Sequence, residues 1–246
     1  MIENEKNTRK KAVRQLTERN LKAFRNSFLE LHPADQVELF RSLEIAQQKQ
    51  MFLFLSPQEF ADIFAGLDSD DQAFAFAELS FQYAVSMLNH MPADDVADFF
   101  AKIELSNADE ILGSMDQEEA NRVKELMAYE PKTAGSIMTK EFIRLSVSAT
   151  AKNVIEQLRE IAPDAETIYY LYVVDSEQKL AGVVSLRDLI IASPEMTIND
   201  IMSSQIVSVS EETDQEDVAR MIKEYDFFSR SCRYSGRNTC RDHYCR

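Results

Sequence analysis

Four residues in the stretch GVVSLRDL, 182–189, have the types and spacing to hold a phosphorylated nucleotide. Gly182 would let backbone approach a ligand, Ser185 offers a hydroxyl beside helix-start amides, Arg187 a cation for phosphate and Asp188 a carboxylate for ribose hydroxyls. Tyr170, on the preceding apolar run, adds an aromatic face for a base. Ser185 and Asp188 equally form an S-x-x-D capping box, whose carboxylate does no more than close a first helical turn. On these residues alone both readings stand.

Carboxylates offer a second kind of chemistry. Glu38, Asp62, Asp98 and Glu110 recur at one place in a twelve-residue repeat, and Asp94 lies one helical turn from Asp98. Further along, TDQEDV supplies Asp214 and Glu216, and YDF supplies Asp226. Mg²⁺ is a hard cation that prefers oxygen, keeps several waters and takes one or two protein carboxylates, so loosely spaced acids are what it would need. The plainer alternative is a solvated acidic face, with Thr213 and Glu216 as a T-x-x-E cap. His32, His90 and His243 are scattered and no nucleophile stands beside a base, so an enzyme is not expected.

These residues need elements to position them. Steps of twelve from Leu31 meet Leu43, Leu55, Leu67, Leu79, Met91, Ile103, Met115 and Met127, all apolar. Eight places into most units comes an apolar pair: Leu39-Phe40, Met51-Phe52, Ile63-Phe64, Met87-Leu88, Phe99-Phe100 and Ile111-Leu112. Each unit therefore reads as one short helix, opened by Ser56, Asp68, Ser80, Pro92 or Asp116. Helices of about two turns cannot stand alone, so 31–130 is predicted to stack into an all-α superhelical repeat, an α-solenoid. Residues 1–30 read as an additional basic N-terminal helix, with Leu16, Leu21, Phe24 and Phe28 on its apolar face.

Past YEPKTAG the texture changes to β-branched runs alternating with helical ones, which sets a boundary near 131–136. IMTKEFIRLSVSATAKNVIEQL from Ile137 and IMSSQIVSVSEETDQEDVARMI from Ile201 are two copies, with Thr150 matched to Thr213. The first copy, 137–200, reads β-α-β-β-α. The second, 201–227, is incomplete: its next strand is due near 231 and its glycine near 245, where the chain reads FFSRSCRYSGRNTCRDHYCR. Residues 228–246 are expected to be an unnatural or frame-shifted end without a fold of its own. The fold class is thus α+β multidomain, a helical repeat followed by one complete and one partial β-α-β-β-α unit.

The 246 residues, 45% of them apolar, can bury a sizeable core. The net charge of −15 lies in the body of the chain, while both ends are basic. An acidic body repels phosphate backbones and anionic lipid, so cations are better partners than nucleic acid. The longest apolar runs, MFLFL and IYYLYVV, fall well short of a membrane span, and MIENEKNTRKKAVRQL lacks the apolar core of a secretory signal, so a soluble, cytoplasmic chain is expected. Cys232, Cys240 and Cys245 match no metal-ligand spacing.

The tandem units resemble a CBS domain pair. More closely, EPKTAGSIMT, APDAETIYYLYVVD, GVVSLRDLI, DIM, TDQEDVAR and YDF resemble the cytosolic part of MgtE-type magnesium transporters, which a helical superhelix likewise precedes. That resemblance implies regulatory ATP, with Tyr170 and Phe227 near adenine, Gly182 and Ser185 in the motif, Asp188 on ribose and Arg187 on phosphates. It also implies Mg²⁺ at Asp62, Asp94, Asp98, Asp214, Glu216 and Asp226, drawing acidic domains together to close a pore. The rest of the second CBS unit, a connecting helix and a membrane pore would lie outside this chain, which then meets the membrane only through them. A homodimer through the CBS region is the family's arrangement. The competing reading is an acidic helical scaffold carrying a nucleotide-sensing CBS module.

Overall fold

A computed structural model describes residues 2–103, 107–161, 168–224, 230–233 and 243–245. The chain divides into two compact units, one of Met1–Met91 with Asp95–Asn121, the other of Pro92–Asp94 with Arg122–Arg246.

The first unit is helical. It contains α1 (Ile2–Thr17), α2 (Leu21–Leu29), α3 (Pro33–Ser42), α4 (Ile45–Phe54), α5 (Pro57–Ala65), α6 (Ser69–Glu78), α7 (Phe81–Leu88), most of α8 (Ala93–Lys102), α9 (Ala108–Ser114) and the start of α10 (Gln117–Met127). Each predicted turn of the repeat is a helix. Ser56, Asp68 and Ser80 accept hydrogen bonds from the amides of Glu59, Asp71 and Tyr83, so the expected caps of α5, α6 and α7 are present.

The single helix expected over 1–30 is two. Arg19 takes a left-handed φ of 56°, and the Asn20 amide reaches back to the Gln15 carbonyl, a Schellman closure of α1. Asn20 then caps α2 through the Ala23 amide.

Every second helix is a packing neighbour: α3 meets α5, α5 meets α7 and α7 meets α9. The structural repeat is consequently a helix pair rather than one helix. Two buried glutamines mark it. Gln48 Nε2 donates to the Phe40 carbonyl and Gln72 Nε2 to the Phe64 carbonyl, each over 2.9 Å, two sequence repeats apart. Phenylalanines fill the space between, with Phe64 and Phe99 edge to face at 5.1 Å and Phe52 and Phe60 at 5.0 Å. The rhythm fails at its end. Met127 is exposed because Val123 and Leu126 take the inward positions of α10.

The second unit carries two small sheets. After a 3₁₀ turn (Gly135–Ile137) come β1 (Met138–Thr139), β2 (Arg144–Ser146), α11 (Ala151–Ile161), β3 (Tyr170–Val174), β4 (Leu180–Ser185), α12 (Leu186–Ile191) and α13 (Ile198–Ile201). The second copy follows with β5 (Ser208–Ser210), α14 (Gln215–Glu224), β6 (Arg230–Arg233) and β7 (His243–Cys245). One sheet has the order β2-β3-β4, the other β1-β7-β6-β5. In both copies a helix crosses between two parallel strands, β2-α11-β3 and β5-α14-β6.

The tail differs from its expectation. Residues 230–233 and 243–245 are strands at the places where the repeat requires them, β6 on β5 and β7 on β6. A parallel neighbour with open amides and carbonyls can recruit backbone whatever its side chains, which is why composition alone misses these strands. Two isolated bridges also recur with the repeat. Thr150 bridges Thr197 and Thr133 bridges Asp214, the same pairing displaced by one repeat. Asp214, not Thr213, therefore occupies in the second copy the place of Thr150 in the first, and its Oδ1 accepts the Glu216 amide at the head of α14. The predicted T-x-x-E box is replaced by this shorter aspartate turn, because an Asx side chain reaches the amide two residues on.

Candidate nucleotide and cation sites

The ladder between β3 and β4 assembles part of the predicted nucleotide set. Tyr170 stands opposite Ser185, so their side chains share one face of the sheet. Ser185 caps α12: its Oγ accepts the Asp188 amide at 3.1 Å and donates to Asp188 Oδ2 at 2.5 Å. The capping reading is thus realised. It engages only one oxygen of an exposed carboxylate, and Arg187 beside it is exposed as well. Tyr170, Ser185 and Asp188 accordingly lie together at the end of β4, with Arg187 on the helical turn that follows.

Gly182 does something else. It faces Val173, on the side of β4 opposite to Ser185, against the core of Leu171, Val173, Val184 and Leu189. A methyl group there would lie 2.6 Å from Met202 Sδ and 2.9 Å from the Ser203 carbonyl oxygen. Ser203 exchanges backbone hydrogen bonds with Val183 at 2.9 and 3.0 Å, so the glycine admits this returning strand. Close backbone packing is by itself a reason for a glycine at this position. Tyr169, which sequence reasoning passed over, is 73% exposed next to Tyr170. Nothing in a run of apolar residues distinguishes the two tyrosines until strand pairing sets the register. Phe227 lies outside the described residues.

The carboxylates sort differently. In the first unit Asp62 is exposed, and Asp98, also exposed, pairs with Lys102 at 3.3 Å. In the second unit Asp94 is buried at 8% exposure, while Asp214 and Glu216 are exposed. One turn apart on α8, Asp94 and Asp98 thus sit in unlike surroundings, and the shared exposed face expected of them is absent. Asp226 lies outside the described residues. Among the described residues no three acids, histidines or cysteines gather around a point that could hold a metal ion. Exposed single carboxylates of this kind fit a hydrated hard cation held through one or two protein oxygens, not a closed cage.

Comparison with known proteins gives these placements a context. The model of the MgtE intracellular N domain matches residues 31–132, and that of the CBS domain matches 134–195 and 198–231. The magnesium transporter MgtE of Enterococcus faecalis is 48% identical over 112 residues, 46% of this chain and 25% of the relative. The alignment thus spans about a quarter of the curated relatives' length. A crystal structure of the soluble part of a magnesium transporter is 34% identical, with a TM-score of 0.91 over 97% of this chain and 94% of that one. A crystal structure of the cytosolic domain of the Mg²⁺ channel MgtE in complex with ATP is 31% identical, with a TM-score of 0.88 and 96% of each chain covered. No helix among the described residues is long and apolar enough to cross a membrane.

Proposed function

The chain belongs to the MgtE magnesium-transporter family, joining its intracellular N domain to CBS domains, and from that membership we propose that it is a cytoplasmic Mg²⁺-sensing region that ATP modulates. It is a regulator and not an enzyme. The observation that carries the reading is the likeness, over nearly the whole chain, to an MgtE cytosolic domain crystallised with ATP.

The physical argument starts from charge. Acidic surfaces brought together repel, each close pair by about 1 kcal/mol at water-like screening and more where water is excluded. Exposed carboxylates such as Asp62, Asp214 and Glu216, none of them in an ion pair among the described residues, would feel that repulsion directly. A divalent cation that binds only the compact arrangement offsets it and shifts the population by its differential affinity. In a full-length transporter such compaction would close the pore when Mg²⁺ is abundant. Nucleotide would be held between the Tyr170 ring and the Ser185–Asp188 turn, with Arg187 on phosphate, and its own charge would tune the sensitivity to cation. Association of two copies through the CBS region completes the proposed assembly.

Small-angle scattering of the chain with and without Mg²⁺ tests the reading. The radius of gyration is expected to fall on adding Mg²⁺ and to recover with chelator. A radius indifferent to Mg²⁺, or one that monovalent salt contracts equally, would overturn it.

A further inference from the structure

One buried acid of the second unit plays no part in the function proposed above. Glu211 follows β5 and is 8% exposed. Its Oε2 has no hydrogen-bond partner among the described residues, while the Tyr129 hydroxyl hydrogen-bonds to the carboxyl group. The residue lies in a seam of backbone bonds between 132–135 and 211–215. Gly135 donates to the Glu211 carbonyl at 2.8 Å, Ala134 to that of Thr213 at 2.7 Å, and Gln215 to that of Lys132 at 2.9 Å. The Tyr129 ring covers the seam so closely that a methyl group on Gly135 would stand 2.5 Å from its Cδ1.

The charges facing Glu211 do not neutralise it. Lys140 attracts it but is itself paired with Glu125, and Glu212 repels it. An ionised carboxylate with one oxygen unsolvated is costly, whereas a neutral carboxyl is tolerated in the same place. We propose that Glu211 is a proton-controlled latch, holding the 132–135 segment on the 211–215 segment when protonated and releasing it when ionised.

Burial pushes the Glu211 carboxyl above the ordinary glutamate value of 4.5; the Tyr129 hydroxyl opposes this, Glu212 adds to it and Lys140 opposes it, with a net upward shift. The sign follows. With the closed-state value raised, the latch is fully engaged below about pH 4.5 and loosens as pH rises toward that higher value.

The test is amide exchange at Ala134 and Gly135 in the full chain, followed by NMR from pH 4.5 to 8 and corrected for intrinsic exchange. Wild-type protection should fall by up to roughly tenfold per pH unit across the window between the two carboxyl values, while Glu211→Gln stays flat. Carboxyl-carbon titration of Glu211 in the unaltered chain supplies an independent arm, with a midpoint above the ordinary glutamate value expected. Equal slopes in the two proteins, a flat wild-type profile, or a Glu211 midpoint at or below that value would each overturn the latch.

Discussion

Tyr170 faces Ser185 across the β3–β4 ladder, which sets an aromatic ring beside a helix-capping hydroxyl at one strand end. The pairing turns two residues fifteen apart in the chain into neighbours, and it is the geometric basis for looking for a nucleotide there.

Asp188→Ala is expected to reduce ATP affinity at least tenfold by titration calorimetry. Since Asp188 is exposed and closes a single short turn, the melting temperature should change little, in keeping with about 1 kcal/mol or less for a cap. Unaltered binding heat in the variant would leave Asp188 as a cap alone.

Gly182→Ala should destabilise the second unit by about 1–3 kcal/mol, the usual cost of overpacking. The added methyl meets the Met202 sulfur at 2.6 Å and the Ser203 carbonyl at 2.9 Å, and only the sulfur lies on a flexible side chain. Urea unfolding reads the effect; a midpoint equal to wild type would mean that the returning strand moves aside freely.

Gln72→Ala removes the side-chain donor from the Phe64 carbonyl in the core of the helical unit. The Phe64 carbonyl keeps the Leu67 amide at 3.1 Å, so the loss should be that of one net hydrogen bond, about 0.5–1.5 kcal/mol. Gln82, exposed on α7, serves as the control, and its alanine variant should unfold with the wild type. Equal behaviour of the two variants would remove the glutamine bonds from the account of how the helix pairs are held.

Acid should weaken the first unit through Glu59. Partial burial alone would raise this carboxyl, but the Ser56 amide and hydroxyl and the Arg25 guanidinium outweigh it and hold the group below the usual glutamate range. A depressed acid stabilises the fold above the ordinary value of 4.5, and that contribution disappears as pH falls through the lower native value. Unfolding midpoints between pH 6 and pH 3 should therefore decline less steeply in Glu59→Gln than in wild type. Parallel declines would assign the acid sensitivity to other groups.

Much of this molecule was legible in the order of its residues. Apolar recurrence at Leu31, Leu43, Leu55 and Leu67 announces stacked short helices, and Ser56, Asp68 and Ser80 announce where three of them begin. Those features are local, decided by which face of a turn must leave water and which side chain can satisfy a free amide. The paired β-α units are legible for the same reason, whereas the strands of the tail are not, because a neighbouring strand rather than their own composition recruits them.

Tertiary structure alone decided the rest. It assigned Gly182 to the passage of Ser203, buried Asp94 while leaving Asp98 in solvent, matched Thr150 to Asp214, and enclosed Glu211 beneath Tyr129. Periodicity states that a face is covered but not by what. Whether a glycine, a carboxylate or a glutamine is a ligand, a packing device or a buried acid depends on groups brought near from distant parts of the chain, and on whether water can still reach it.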